Sequence, residues 1–462
     1  MSAKLADVLK TLDKTQEAAL DRLFELLRIP SVSTDPAYKS HCQSAAEWCA
    51  RELKAIGFHE AKVVTTTGHP MVVAHDRAKV PKGMPHVLFY GHYDVQPVDD
   101  PGKQWRSDPF EPVVRDGRLY ARGATDDKGQ TFTQMKAVQS LLATGQMPVN
   151  VKFMVEGEEE CGSTNAYAFV EQHAGLLAAD VVVVSDSHIL APDRPSIVTG
   201  LRGMTYMEIE VFGPSHALHS GAYGGIVHNP AQALAEILAA LHDGAGRVTV
   251  PGFYDDVAEL SAEQRAVLAK VPFTPERLHH ETGLTVPWGE AGYELHERLG
   301  IRPTLEVNGL VSGWTGEGSK TVLPDTALAK VSCRLVPDQD PEKIYRLVAD
   351  YVATLTPPTV RSEVRLLHTG NWVVVDPESP YIQAAARAYE FGFGKAPVYV
   401  REGGSIPIIG TFQKVLGAPA VLLGFGLPDD NLHAPNERFN LGNFYRGMKT
   451  AVHFYQELGA RA

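Results

Sequence analysis

Four apolar runs in this chain stop abruptly at residues able to bind a cation. Val151–Val155 runs into Glu156-Gly157-Glu158-Glu159-Glu160-Cys161-Gly162. Four Glu in five positions repel one another, so a positive charge must lie near, and a metal ion is the simplest candidate. Val87-Leu88-Phe89-Tyr90 leads into Gly91-His92-Tyr93-Asp94, and Val181–Val184 into Ser185-Asp186. Ala420-Val421-Leu422-Leu423 leads, after a Gly-rich turn, to Asn431-Leu432-His433. Buried strands that each deliver a His or a carboxylate at the C-terminal end describe a sheet whose ligands converge at one rim. The chemistry this predicts is hydrolysis assisted by two metal ions.

The elements that must position these residues follow from length and texture. At 462 residues the chain exceeds what one hydrophobic core usually supports, which predicts two domains. Apolar residues at 44% and charged residues at 21% are ordinary for a soluble globular protein. A net charge of −12 without a long acidic run argues against nucleic acid as a partner. No run of about 18 apolar residues is present, which predicts no membrane span. The N-terminus lacks a basic-then-apolar signal pattern, and Leu5, Leu9, Leu12, Leu20, Leu23 and Leu27 predict an amphipathic helix over Met1–Leu27. Cys42, Cys49, Cys161 and Cys333 form no CxxC pair, which predicts reduced thiols, a cytoplasmic location and no thiolate zinc site.

Roughly the first 190 residues alternate strand-like and helix-like runs, the pattern of an α/β layer with a mostly parallel sheet. After Gly129, the residues Phe132, Met135, Val138 and Leu142 mark one face of a helix ending near Gly145. From Gly203 the texture changes. Met204–Val211 and Ala327–Leu335 alternate as half-solvated antiparallel strands, with helices starting at Asn229-Pro230 and near Pro341. The expected organisation is a catalytic domain in two parts, 1–202 and 377–462, interrupted by an inserted α+β domain at 203–376.

Each candidate also has a plain structural reading. His92-x-Asp94 is a common tripeptide, but in an extended chain both side chains share a side, so Asp94 is placed to orient a metal-bound imidazole. Asp126 lies in Arg122-Gly123-Ala124-Thr125-Asp126-Asp127-Lys128-Gly129, where an N-cap is the ordinary role of an Asp. Neighbours in an extended segment point to opposite sides, so one of Glu159 and Glu160 can bind metal while the other faces substrate as a base. Asp186 would otherwise merely end a strand, and His433 is one of 18 histidines. Taken jointly, one His per metal, one terminal carboxylate per metal and one shared carboxylate make a balanced pair of sites.

The motifs Gly91–Pro97, Arg122–Gly129, Glu156–Ser163, Ser185-Asp186, Leu218-His219-Ser220-Gly221, Arg401-Glu402-Gly403-Gly404-Ser405-Ile406-Pro407 and His433 resemble, in order, those of carnosinase and the cytosolic non-specific dipeptidases. These belong to a larger family of co-catalytic zinc peptidases and deacylases. The resemblance implies an α/β zinc-peptidase domain with an inserted lid and dimerisation domain. It implies that His92, Asp126 and Asp186 hold one metal, with Asp126 bridging to a second held by Glu160 and His433. Glu159 becomes the general base and Asp94 the orienter of His92. The peptide bond after the bridging Asp is often cis in the family. His219 would reach the partner subunit's active site in a homodimer and donate to the oxyanion. Arg334 would clamp a substrate carboxylate, His368 would contact substrate, and Glu402, Gly404 and Ser405 would line its site. Without that context Arg334 is an exposed arginine on a sheet face, and Gly403-Gly404 is simply a turn.

The expected reaction is hydrolysis of dipeptides, with two divalent ions sharing a hydroxide and Glu159 taking its proton. Zinc suits the donor set, with manganese or cobalt as alternatives. An N-acyl-amino-acid deacylase using the same site is the nearer rival. A non-catalytic metal-binding homologue is the farther one.

Overall fold

The computed structural model describes residues 3–75, 83–98, 102–271, 273–404 and 406–460. They form two compact units: Met1–Thr199, Val375–Tyr399 and Thr411–Ala462 in the first, Gly200–Val374 and Val400–Gly410 in the second.

The first unit is an α/β layer built on a mixed sheet whose central strands run parallel. Asn150–Glu156, His86–His92, Val181–Val184 and Ala420–Leu422 lie side by side in that order. Their residues are almost all buried, as the continuous apolar runs require. Met71–His75 and Glu60–Val64 extend the sheet antiparallel beyond Asn150–Glu156. The helix Lys128–Ala143 packs against the helices Leu441–Gly459, Ala3–Lys14 and Gln16–Leu27 and the strand His86–His92. Every residue from Lys128 to Val138 is buried, not one face only. Its polar side chains therefore need internal partners. Lys128 Nζ donates to the Leu26 and Ile29 carbonyls at 3.2 and 2.6 Å, and Gln134 Nε2 to Ser185 Oγ at 2.7 Å.

Two local expectations change. The single N-terminal helix is two, Ala3–Lys14 and Gln16–Leu27, broken where the Thr15 hydroxyl donates back to the Thr11 and Leu12 carbonyls. The glutamate run is not extended beyond Glu156: Glu159–Cys161 forms a 3₁₀ turn.

The second unit carries a four-stranded antiparallel sheet ordered Thr304–Ser312, Thr326–Leu335, Gly203–Phe212, Arg361–Gly370. Burial alternates strictly along Gly203–Phe212, and the buried side holds Met207, Ile209 and Val211. Two helices cover it, Pro230–Ala240 and Pro341–Leu355, each with Pro in its first turn. Asn229 and Asp340 cap them, accepting from the amides of Ala231 and Lys343.

Candidate active site

Parallel pairing aligns the ends of four strands. His92 is in register with Glu156, while Tyr90 and Leu422 both pair with Val184. The segments that follow, Glu159–Cys161, Ser185-Asp186 and the loop to His433, therefore leave the sheet at one rim. Asp126 comes from the loop that closes on the start of the helix Lys128–Ala143. A Cβ on Gly129 would sit 1.9 Å from the Ala124 carbonyl oxygen, so only glycine lets that loop close. The Asp126–Asp127 peptide bond is cis.

Two groups of donor atoms result. His92, Asp126 and Asp186 form one, and Asp126, Glu160 and His433 the other, each with ligand atoms within 4.8 Å of one another. Asp126 splits its carboxylate between them: Oδ1 lies 3.1 Å from His92 Nε2 and Oδ2 lies 3.0 Å from His433 Nε2. Glu160 Oε2 is 3.3 Å from the same His433 nitrogen and accepts from Gln96 Nε2 at 2.7 Å. Asp186 Oδ2 stands 3.8 Å from His92 Nε2.

The ring of His92 is fixed from behind. Nδ1 donates to the Asp94 carbonyl oxygen at 3.1 Å, with the Asp94 carboxylate at 3.3 Å. The orienting hydrogen bond thus runs through the Asp94 main chain. With the proton on Nδ1, a neutral imidazole turns the Nε2 lone pair toward Asp126 and Asp186. That nitrogen is fully buried and makes no hydrogen bond. A lone pair facing two carboxylates is repulsive unless a cation stands between them, so this donor set fits a divalent metal.

Electrostatics agree. Burial raises the carboxyls of Glu159 and Glu160 well above the usual range, and neighbouring carboxylates add to it against the pull of His92. Asp186 is pushed up to about 6 by burial and then by Asp126. Burial opposes charge on Asp126 too, but its close contacts with the His433 and His92 rings outweigh it and hold its carboxyl low. Burial thus disfavours the anionic form of three of these carboxyls, and a divalent cation would supply the charge that offsets it. Glu156 and Glu158 are structural: Glu156 accepts from Tyr90 and Ser163 hydroxyls, Glu158 from the amides of His69 and Asn165.

The other sequence candidates lie in the second unit. His219 is exposed and ends the short strand Leu218–His219. Its Nδ1 accepts from the Gly221 amide at 3.0 Å, which leaves Nε2 as the proton-bearing donor. Arg334 is half-buried on the sheet face it shares with Lys330 and Ser332. His368 stacks on Tyr206 with centroids 5.1 Å apart, and burial and then Arg334 lower its pKa. Gly404 offers its carbonyl to the Arg202 amide at 3.1 Å and Glu402 is half-buried, while Ser405 lies outside the described residues. Tyr206, Arg202, Gln96, Asp127 and Glu437 were not among the sequence candidates. Only position could have flagged Asp127 and Glu437, beside Asp126 and four residues after His433.

An α/β sheet that gathers two imidazoles and three carboxylates at the C-terminal rim of its parallel strands defines a metal-dependent hydrolase. The chain belongs to peptidase family M20/M25/M40, whose pattern matches residues 88–457. It is 33% identical to the Cys-Gly metallodipeptidase DUG1 of Saccharomyces cerevisiae over 99% of this chain and 98% of that one. The solved structure of the yeast di-peptidase Dug1p superposes with a TM-score of 0.89 at 32% identity, covering 100% and 99% of the two chains. The human Beta-Ala-His dipeptidase is 31% identical over 99% of this chain and 93% of its own. A metallo-carboxypeptidase of the M20 family from Sulfolobus solfataricus, Sso-CP2, matches with a TM-score of 0.86 at 33% identity over 96% and 99%.

Proposed function

We propose that this protein is a two-metal dipeptidase. The observation that carries the reading is the division of the Asp126 carboxylate between His92 and His433, each beside a further carboxylate, Asp186 and Glu160. His92, Asp126 and Asp186 would hold one divalent cation and Asp126, Glu160 and His433 the second, with zinc suited to the donors and manganese or cobalt as alternatives. Such cations, when bound, polarise a carbonyl and acidify water near neutral pH. Glu159 accepts the proton of the attacking water and passes it to the leaving amine. Asp94 keeps the His92 ring aimed. His219, its Nε2 carrying a proton, donates to the developing oxyanion.

Arg334 presents a guanidinium fork suited to a C-terminal carboxylate, and His368 on Tyr206 stands beside it for the rest of the substrate, with Glu402 and Gly404 lining the site. The metallodipeptidase relatives support dipeptides as substrates. We further propose a homodimer and a cytoplasmic location. The dimer is supported by exposed Val307, Leu310 and Val311 on the outermost strand Thr304–Ser312. The location is supported by four free cysteines, three of them buried.

The test is a panel of dipeptides, their N-acetylated forms and matched tripeptides, assayed after zinc or manganese reconstitution. Cleavage confined to free dipeptides is expected. Preference for acetylated substrates would replace the reading with a deacylase. Preference for longer peptides would replace it with a carboxypeptidase like the Sulfolobus relative.

A further inference from the structure

Three members of the donor set have their own main-chain N–H groups held by carboxylates from outside the set. The His92 amide donates to Asp127 Oδ2 at 3.2 Å, the Asp126 amide to Glu437 Oε1 at 3.1 Å and the Glu160 amide to Asp94 Oδ2 at 3.1 Å. Each of these carboxylates sits on a loop that carries another donor: Asp127 follows Asp126, Asp94 is two residues past His92, and Glu437 is four past His433. The loops are thereby linked head to tail. The 433–437 loop holds Asp126, the 126–127 loop holds His92, and the 92–94 loop holds Glu160.

Glu437 stands at the head of this series and is fully buried. Its Oε1 accepts from the Thr125 and Asp126 amides at 3.0 and 3.1 Å. Its Oε2 accepts from the Gly123 amide at 2.9 Å and from Arg122 Nη1 at 2.8 Å. A buried Arg–Glu pair serving the fold alone needs only the last of these. The other three fix the backbone that ends in Asp126. Because a carboxylate has no proton to offer and four N–H groups converge on it, no neutral side chain of the same shape satisfies them all.

We infer that Glu437 is a positioning residue for both metal ions, acting through the backbone of Asp126 and touching neither ion. The inference rests on the reading above in which Asp126 is shared. Removing a terminal ligand weakens one ion, whereas loosening the shared carboxylate weakens two. Groups that orient metal ligands typically change affinity by about 10–100-fold when altered, and that is the range expected here.

Glu437→Gln is the variant of choice, since its amide N–H₂ must oppose two of the four donors. The full-length protein, loaded with zinc, is titrated with a competing chelator. Wild type should surrender two ions at high chelator strength, and His433→Ala should lose one of them early. Glu437→Gln should surrender both at about 10–100-fold weaker competition, with KM for a dipeptide unchanged within about twofold. Wild-type retention of both ions in Glu437→Gln, with the protein folded, overturns the inference. If the wild-type protein holds fewer than two ions, the two-metal reading falls and takes the inference with it. A second measurement needs no variant: amide exchange at Gly123, Thr125 and Asp126 in wild-type protein before and after chelation. Protection that survives chelation is expected. Loss of protection at all three would mean that metal, not Glu437, orders the loop, and would overturn the inference even if Glu437→Gln does not fold.

Discussion

Glu159 and Glu160 share one 3₁₀ turn but face different partners, and their isosteric amides should separate their roles. Glu160 contacts His433 and Gln96 directly, whereas Glu159 is governed first by burial and then by the charges of His92, Asp186, Asp126 and Asp94, most of which act on Glu160 as well. Glu159→Gln should keep two metals per chain and lose about 10²–10⁴-fold in kcat, the usual contribution of a general base. Glu160→Gln should instead lower metal content itself. Metal analysis beside kcat reads both, and swapped phenotypes would reverse the assignment. Arg334 makes a second prediction. Arg334→Ala should reduce kcat/KM for a dipeptide by about 2–4 kcal/mol, as truncating a buried charge pair does, and much less for the dipeptide amide. Arg334→Lys should recover only part, lacking the planar fork. Equal losses on acid and amide would return Arg334 to a structural role. At this scale the sequence showed which side chains end strands and therefore meet. It did not show Glu437 or Asp127, because their hydrogen bonds go largely to main-chain amides, which leave no mark on the residue types around them. The extended alternation assumed for Glu159 and Glu160 also failed, since the strand stops at Glu156.

Among elements, the helix Lys128–Ala143 joins sequence texture to packing most directly. Its apolar spacing predicted a helix with one buried face, but polar residues hidden in partnered contacts read as solvent-facing, so its central position was not legible. Lys136 illustrates the point. Its Nζ donates to Glu52 Oε1 of the helix Lys39–Ala55 at 2.5 Å, and Glu52 also accepts from Arg22. The pair is asymmetric. Burial outweighs the attraction of Glu52 and holds Lys136 below its ordinary value. On Glu52, burial works the other way but Lys136 and Arg22 together overcome it and hold the carboxyl below its ordinary value. A carboxyl depressed in the folded state contributes stability above its unfolded value, and that contribution fades as pH falls through the folded one. Glu52→Leu, which strands a buried ammonium, should cost about 3–5 kcal/mol at pH 7. The gap to wild type should narrow below about pH 4 as Glu52 is protonated in the unfolded and then the folded protein. Urea midpoints of both proteins from pH 7 down to about pH 2 test this, and a gap independent of pH over that range would contradict it.

At the scale of the whole molecule, the second unit presents an apolar strand edge. Thr304–Ser312 pairs on one side with Thr326–Leu335 and is the outermost strand of its sheet. It exposes Val307 at 46%, Leu310 at 59% and Val311 at 63%, an apolar edge of the kind proteins normally blunt. Asn308-Gly309 interrupts the apolar alternation of this segment in the sequence, and alternation cannot in any case tell burial in one's own core from burial against a second copy. An isologous dimer through this edge is our proposal, and it gives His219 a place to act. His219 is exposed, belongs to the second unit, and presents a protonated Nε2. If each His219 serves the partner's site, a mixture of His219→Ala and Glu159→Gln proteins under subunit exchange should regain activity. In each hybrid one site combines an intact Glu159 with the other chain's intact His219, while its counterpart lacks both. With random exchange half the dimers are hybrids, so about a quarter of wild-type turnover should return. Leu310→Glu, placed on the apolar edge, should give monomers by sedimentation and should prevent recovery when built into both partners. Confirmed hybrids that stay inactive would show that His219 serves its own chain or none. Recovery from monomers would show that the edge strand is not the surface through which the site is completed.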